Sequence, residues 1–213
     1  DVGSFGSTFY ETPNIDKFAE DGVKFTNAYA ACHVCSPTRA SILTGKYPAR
    51  NNMTDWISGR LDYPFQQYLN VPTVQALPFE EITIAETLRG HGYKTAAVGK
   101  WHLGVAPAQP DAHGFDWHIP RNWNRGAPNR TFYAPYGLEG LEDAPEGEYL
   151  TDRLTDEALG FIDKNKDDPF FLYLAHFAVH DPIHGRLDLV DKYEKKLKAN
   201  PIKGDTPYVL EGN

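Results

Sequence analysis

Apolar positions recur along this chain at two spacings, and the alternation between them predicts the fold class. Residues 14–21 read as a short helix that Gly22 ends, and residues 23–26 as a strand. Residues 36–44 read as a helix stopped by Gly45. Ser36 suits its N-cap, and Pro37 suits the first turn, where a missing N–H costs nothing. Residues 83–89 predict another helix, with Gly90 and Gly92 at its end, and residues 94–98 a short buried strand. In residues 151–164, Leu154, Ala158, Phe161 and Ile162 fall at helical spacing. Residues 169–175 form a continuous apolar run, the pattern of a strand covered on both faces. Helices alternating with such strands argue for an α/β layered sheet, and no segment repeats.

Composition narrows the function classes. The 213 residues are 41% hydrophobic and 23% charged, which supports a real core and excludes low-complexity disorder. Lys and Arg number 21 against 29 Asp and Glu, a net charge of −8, so a global basic footprint for nucleic acid is absent. No apolar run approaches the ~20 residues that span a bilayer, so no transmembrane segment is expected. Eight acids between 139 and 157, and five lysines between 192 and 203, read as solvated faces. The chain starts at Asp1, has Met53 as its one methionine and stops without a clear finish, so a processed or truncated piece is expected.

Cys32 and Cys35 are the two cysteines, too close in sequence to staple a domain. A redox or zinc reading of this C-x-x-C is disfavoured. The capping Ser36 and Pro37 follow the second cysteine rather than the first, and zinc would need a further pair of ligands. Cys35 instead stands at the start of a predicted helix, where free N–H groups and the dipole favour negative charge. Arg39, one turn on, can face the same spot. Lys100 and His102 follow the 94–98 strand at i and i+2, so both can project into one pocket beyond the strand's carboxyl end. His180 occupies the equivalent place after the 169–175 strand, where it can serve as a general acid or anion ligand; His176 and His184 are its neighbours. Residues 115–136 interleave Trp117, Trp123, Phe132, Tyr133 and Tyr136 with Arg121, Asn122, Asn124, Arg125, Asn129 and Arg130. This segment suits stacking on a polar ring such as a sugar, or equally a loop whose aromatics pin it to the body. Asn52-Met-Thr54 and Asn129-Arg-Thr131 fit the N-glycosylation pattern.

These residues carry a family resemblance. Cys35-Ser-Pro-Thr-Arg-Ala-Ser-Ile-Leu-Thr-Gly45 resembles the type I sulfatase signature C-x-P-[ST]-R-A-x-x-L-T-G. Thr12-Pro-Asn-Ile-Asp-Lys-Phe-Ala19, Gly99-Lys-Trp-His-Leu-Gly104, His113-Gly-Phe-Asp116 and His180-Asp-Pro182 match in order, as do residues 83–93 and 169–174. The resemblance covers nearly the whole chain. It implies the alkaline-phosphatase-like layered fold, a mostly parallel sheet with helices on both faces, here incomplete at both ends. Residues 1–213 would be the N-terminal part of an exported sulfatase catalytic domain, periplasmic or secreted.

The resemblance also implies roles. Cys35 would be oxidised by a formylglycine-generating or equivalent maturation enzyme to an aldehyde. One hydroxyl of its hydrate would attack sulfur, and the other would expel sulfate as the aldehyde re-forms. Arg39 would orient the diol, Lys100 would hold sulfate oxygens, His102 would take the diol proton, and His180 would contact the sulfate and protonate the leaving oxygen. Trp117 and Trp123 would contact the sugar. A divalent cation, Ca2+ with Mg2+ as the alternative, would be bound by Cys35 as formylglycine and by ligands outside this chain. Position 38 is Thr where many members have Ser, and Asp1-Val-Gly-Ser-Phe-Gly6 resembles the stretch just after the family's first aspartate pair. The expected activity is hydrolysis of a sulfate monoester on a small molecule or glycan. The alternatives are a phosphonate or phosphate ester hydrolase of the same superfamily and a non-catalytic sugar-binding remnant.

Overall fold

A computed structural model describes residues 2–123 and 131–201. The helices in chain order are α1 (Pro13–Asp21), α2 (Cys35–Thr44), α3 (Pro48–Asn51), α4 (Ile84–Gly90), α5 (Leu150–Asn165) and α6 (Leu187–Ala199). The strands are β1 (Lys94–Gly99), β2 (Trp117–Ile119) and β3 (Phe170–Ala175). The chain divides into two compact units, one of residues 30–184 and one of residues 1–29 with 185–213. Among the described residues no helix is long and apolar enough to cross a membrane.

The larger unit is built on a parallel sheet in the order β2-β1-β3. Ala96–Val98 of β1 register with Trp117–Ile119 of β2, and Lys94–Gly99 with Phe170–Ala175 of β3. β1 is buried along its length after Lys94, and its alternating side chains feed two separate cores. Val98 joins Ile119, Phe132, Tyr136, Leu150 and Leu154 beneath α5. Ala97 joins Ala40, Leu43, Ala85, Leu103 and Phe115 beneath α2 and α4. Helices on both faces of a parallel sheet are what the alternating pattern predicts. Deleting a fully buried side chain here, Leu43 or Leu154, would cost about 2–5 kcal/mol.

Three local expectations change. Residues 23–26 form no strand; Val23 and Phe25 are 81% and 73% exposed, and a strand needs a neighbour for its N–H and C=O groups. Helix α2 begins at Cys35 with Val34 as N-cap and no side-chain cap, because the Ser36 hydroxyl accepts instead from the Ile57 N–H at 3.1 Å. β3 is half-buried rather than covered on both faces, since it lies at an edge of the described sheet. Helix α4 starts with a capping box between Thr83 and Glu86, which satisfies two of its free N–H groups.

The charge-biased stretches are internally paired. Arg153 reaches Asp143 at 2.9 Å and Glu157 at 2.8 Å, so part of the acidic run surrounds one cation. In the smaller unit Glu11 bonds Lys192 and Lys196, and these bonds hold its carboxyl down at about 2. Phe9 and Tyr10 pack against the Tyr193 ring beside this pair.

The backbone at Gly99 admits no side chain. Gly99 ends β1 with φ +101°, and a Cβ there would stand 2.1 Å from the Ala175 carbonyl oxygen. That oxygen is backbone, so it cannot step aside without parting β1 from β3. Gly99→Ala is expected to destabilise the unit by on the order of 3 kcal/mol, read as a fall in Tm of roughly 6–12 °C.

Candidate active site

Beyond the carboxyl ends of β1 and β3 the chain gathers four of the sequence-predicted residues. The peptide unit of Lys100 is held from both sides. Its N–H donates to the Ala175 carbonyl of β3 at 2.7 Å, and its carbonyl accepts from Arg39 Nη1 of α2 at 2.7 Å. The same Nη1 lies 3.3 Å from the Tyr173 hydroxyl. Lys100 is 4% exposed and lies close enough to Cys35 and Arg39 to feel their charges. Burial pushes its pKa down, the Arg39 charge adds to this, and Cys35 opposes it.

Cys35 is the first residue of α2, half-buried, at a helix start with no side-chain cap. The first N–H groups of α2 are therefore not taken up by a capping side chain. An open cleft of about 460 Å³ lies in front of it, lined by Cys32, His33, Cys35, Thr38, Arg39 and Tyr173 among others, with no carboxylate among the described residues of its walls. Thr38 secures the approach to the helix: its hydroxyl donates to the Cys32 carbonyl at 2.5 Å and accepts from the Cys32 N–H at 3.2 Å.

His102 is 5% exposed and adopts φ +54°, a left-handed conformation that costs a residue with a Cβ about 1–2 kcal/mol. Its Nε2 lies 2.8 Å from the Ile57 carbonyl, which can only accept, so Nε2 carries the proton. Nδ1 is buried and has no partner among the described residues. Burial, outweighing the Ile57 bond and helped by the Lys100 and Arg39 charges, lowers the pKa to about 4. His102 is thus neutral at pH 7, with an unused basic lone pair. The N–H of the same Ile57 donates to Ser36, so one peptide chain links α2 to the imidazole.

The remaining predicted residues do not line the cleft at Cys35. His180 is exposed on the turn after β3, its N–H bonded to the Phe177 carbonyl at 3.0 Å and its Nδ1 to the Asp181 carbonyl at 2.9 Å. His176 is half-buried, and burial lowers its pKa. Trp117 stands at the amino end of β2, at the opposite end of the sheet from Lys100, its ring stacked on Phe161 of α5 at 3° and 6.1 Å. Trp123 packs against the Val98–Leu154 core. Neither tryptophan lines the cleft at Cys35, because Phe115, Phe132 and Tyr136 bury the body of that segment and pin it to the sheet. Asn124, Arg125, Asn129 and Arg130 lie outside the described residues. Three participants were missed: Tyr173, Ser36 and the Ile57 carbonyl. A hydroxyl in the apolar run 169–175 was the available signal for Tyr173; a backbone carbonyl leaves none.

No three His, Cys, Asp or Glu side chains cluster among the described residues in a way that could hold a metal ion. The donor set present therefore does not fit a divalent cation by itself.

Comparison with known proteins gives one family. Residues 1–203 match the Sulfatase family profile. Arylsulfatase of Hemicentrotus pulcherrimus is 36% identical, covering 97% of this chain and 43% of that protein. N-acetylgalactosamine-6-sulfatase of Homo sapiens is 38% identical over 86% of this chain and 38% of its own length. The crystal structure of Ps i-CgsB with k-i-k-neocarrahexaose superposes with TM-score 0.71 at 31% identity, covering 96% of this chain and 46% of that one. The chain thus spans less than half the length of these relatives.

The depressed His102 pKa has a thermodynamic consequence. Folded His102 titrates near 4 and its unfolded form near 6.5, so the unfolded chain takes up the proton first as pH falls. This contribution to stability is complete above pH 6.5 and is lost between 6.5 and about 4, by at most about 3 kcal/mol. Urea unfolding at a series of pH values should show a shallower acid loss in His102→Asn, a residue that tolerates the left-handed backbone.

Proposed function

Because this chain belongs to the sulfatase family, we propose that it supplies the nucleophile side of a site that hydrolyses sulfate monoesters carried on a carbohydrate. The observation that carries the reading is the Arg39 guanidinium bonded to the Lys100 carbonyl beside Cys35, at an uncapped helix start on an open cleft. Relatives with sulfated sugars in their names support the carbohydrate. The reading extends to residues 1–213 as the N-terminal part of a catalytic domain, matured by a formylglycine-generating enzyme and exported.

In this reading Cys35 becomes formylglycine, whose hydrate offers one hydroxyl to attack and another to re-form the aldehyde and release sulfate. Lys100 and Arg39 hold the sulfuryl oxygens, where negative charge accumulates, and they are fixed before substrate arrives. His102, neutral with Nδ1 unpaired, accepts the proton of the second hydroxyl. His180, with its Nδ1–H committed to a backbone carbonyl, protonates the leaving alcohol from Nε2 when the ring is imidazolium and is left as the neutral ring. A Ca2+ ion belongs to the proposal through Cys35 as one ligand; since the described residues do not complete a cation site, no step is assigned to it.

Two measurements test this. The peptide containing Cys35, from protein co-produced with a formylglycine-generating enzyme, should be lighter by one sulfur and two hydrogens and heavier by one oxygen. Assayed with sulfated sugars, aryl sulfate, and phosphate monoesters and diesters, the protein should prefer sulfate, and Lys100→Ala should lower kcat/KM by roughly 10²–10³-fold. A preference for phosphate esters, or binding without turnover by matured and metal-supplied protein, would overturn the reading.

A further inference from the structure

A second concave surface lies at the amino end of the sheet, roughly 20 Å along β1 from Lys100. Its cavity of about 500 Å³ is lined by Trp117 and Phe161, whose rings stack 3° from parallel with centroids 6.1 Å apart. Phe161 is itself packed edge-on by Phe170, which supports the aromatic pair from behind. Lys94, Lys164, Asp116 and Glu157 stand around it. The carboxylates are anchored: Asp116 accepts from Thr95 at 3.0 and 3.1 Å, and Glu157 from Arg153 at 2.9 Å.

One stretch of the cavity wall carries no side chain. Gly160 lies inside α5 and lines it, and a Cβ there would meet nothing within 4 Å. Glycine inside a helix weakens it, and here neither close packing nor a positive φ calls for one. On the other side of Trp117 a cavity of about 430 Å³ shares Asp116 and Trp117 and adds Gln109, His118, Arg121 and Asn122. The indole therefore stands between two polar recesses along the outer edge of β2.

We propose that this groove is a binding site for neutral pyranose units, separate from the centre at Cys35. The C–H face of a sugar ring stacks on a flat indole while its hydroxyls reach charged and amide groups at the rim. Two lysines face two carboxylates around the first recess, so the wall has no excess charge to hold an anion. A lipid tail would strip water from four charged groups without replacing their bonds. The recess has the size of one or two rings. The inference does not depend on the reaction at Cys35.

Neutral tetrasaccharides of glucose, galactose and mannose, titrated calorimetrically into the full chain, are the probes. At least one should bind with Kd of roughly millimolar or below. Trp117→Ala should weaken it at least about tenfold. Gly160→Leu places a good helix former in the recess, so it should abolish binding without lowering Tm. Lys100→Ala should leave this binding unchanged, which separates its failure from failure of the sulfatase reading. No binding by any tetrasaccharide, binding that survives both groove variants, or tighter binding of adenosine than of every sugar would overturn the proposal.

Discussion

The Lys100 peptide is the constraint on which the larger unit turns. Its N–H is tied to β3 and its carbonyl to the guanidinium of α2, so the end of the central strand, the edge strand and the signature helix meet at one amide plane. Gly99 makes that meeting possible, because the close approach of Ala175 leaves no room for a side chain. Everything later in the loop inherits the position, including the left-handed turn at His102 and the indole bond from Trp101 to Ala108 at 3.0 Å.

The same clamp sets the electrostatics. A chain of net charge −8 buries a lysine beside a half-buried arginine near a helix start, and among the described residues no carboxylate lines the cleft. Water is displaced from Lys100, so its charge is costly unless an anion arrives. His102 answers the same field in the opposite sense: two neighbouring cations and burial keep it neutral. Cation donors and a neutral base can therefore coexist within one small volume, which is what transfer of an anionic group asks for. The acidic excess lies elsewhere and is partly spent on internal pairs around Arg153.

Much of this could be read from residue order. The helix at 36–44, the strand at 94–98 and the long helix at 151–164 lie within a residue or so of α2, β1 and α5. These elements carry strong periodicity and clear stop signals at Gly45 and Gly90. The failures have a shared cause. Residues 23–26 alternate as a strand should, yet pairing depends on a neighbour that no local pattern specifies. Ser36 has the chemistry of an N-cap, but the Ile57 N–H, distant in sequence, is where its hydroxyl bonds. The aromatic segment 115–136 looked like a single feature, and folding divides it: Phe132 and Tyr136 go to the core and Trp117 to an outer groove.

The sequence by itself determined the α/β class, the signature helix with Cys35 and Arg39, and the Lys100–His102 pair at a strand's end. Each of these follows from spacing along a single element, where geometry is local. Only the tertiary structure decided that Arg39 bonds the Lys100 carbonyl, that His102 holds its proton on Nε2 and leaves Nδ1 without a partner among the described residues, and that Trp117 lies away from the cleft at Cys35. Those facts rest on burial and on bonds between residues such as 39 and 100 or 57 and 102. Such contacts are fixed by packing across the sheet, and packing is a property of the assembled layers rather than of any segment.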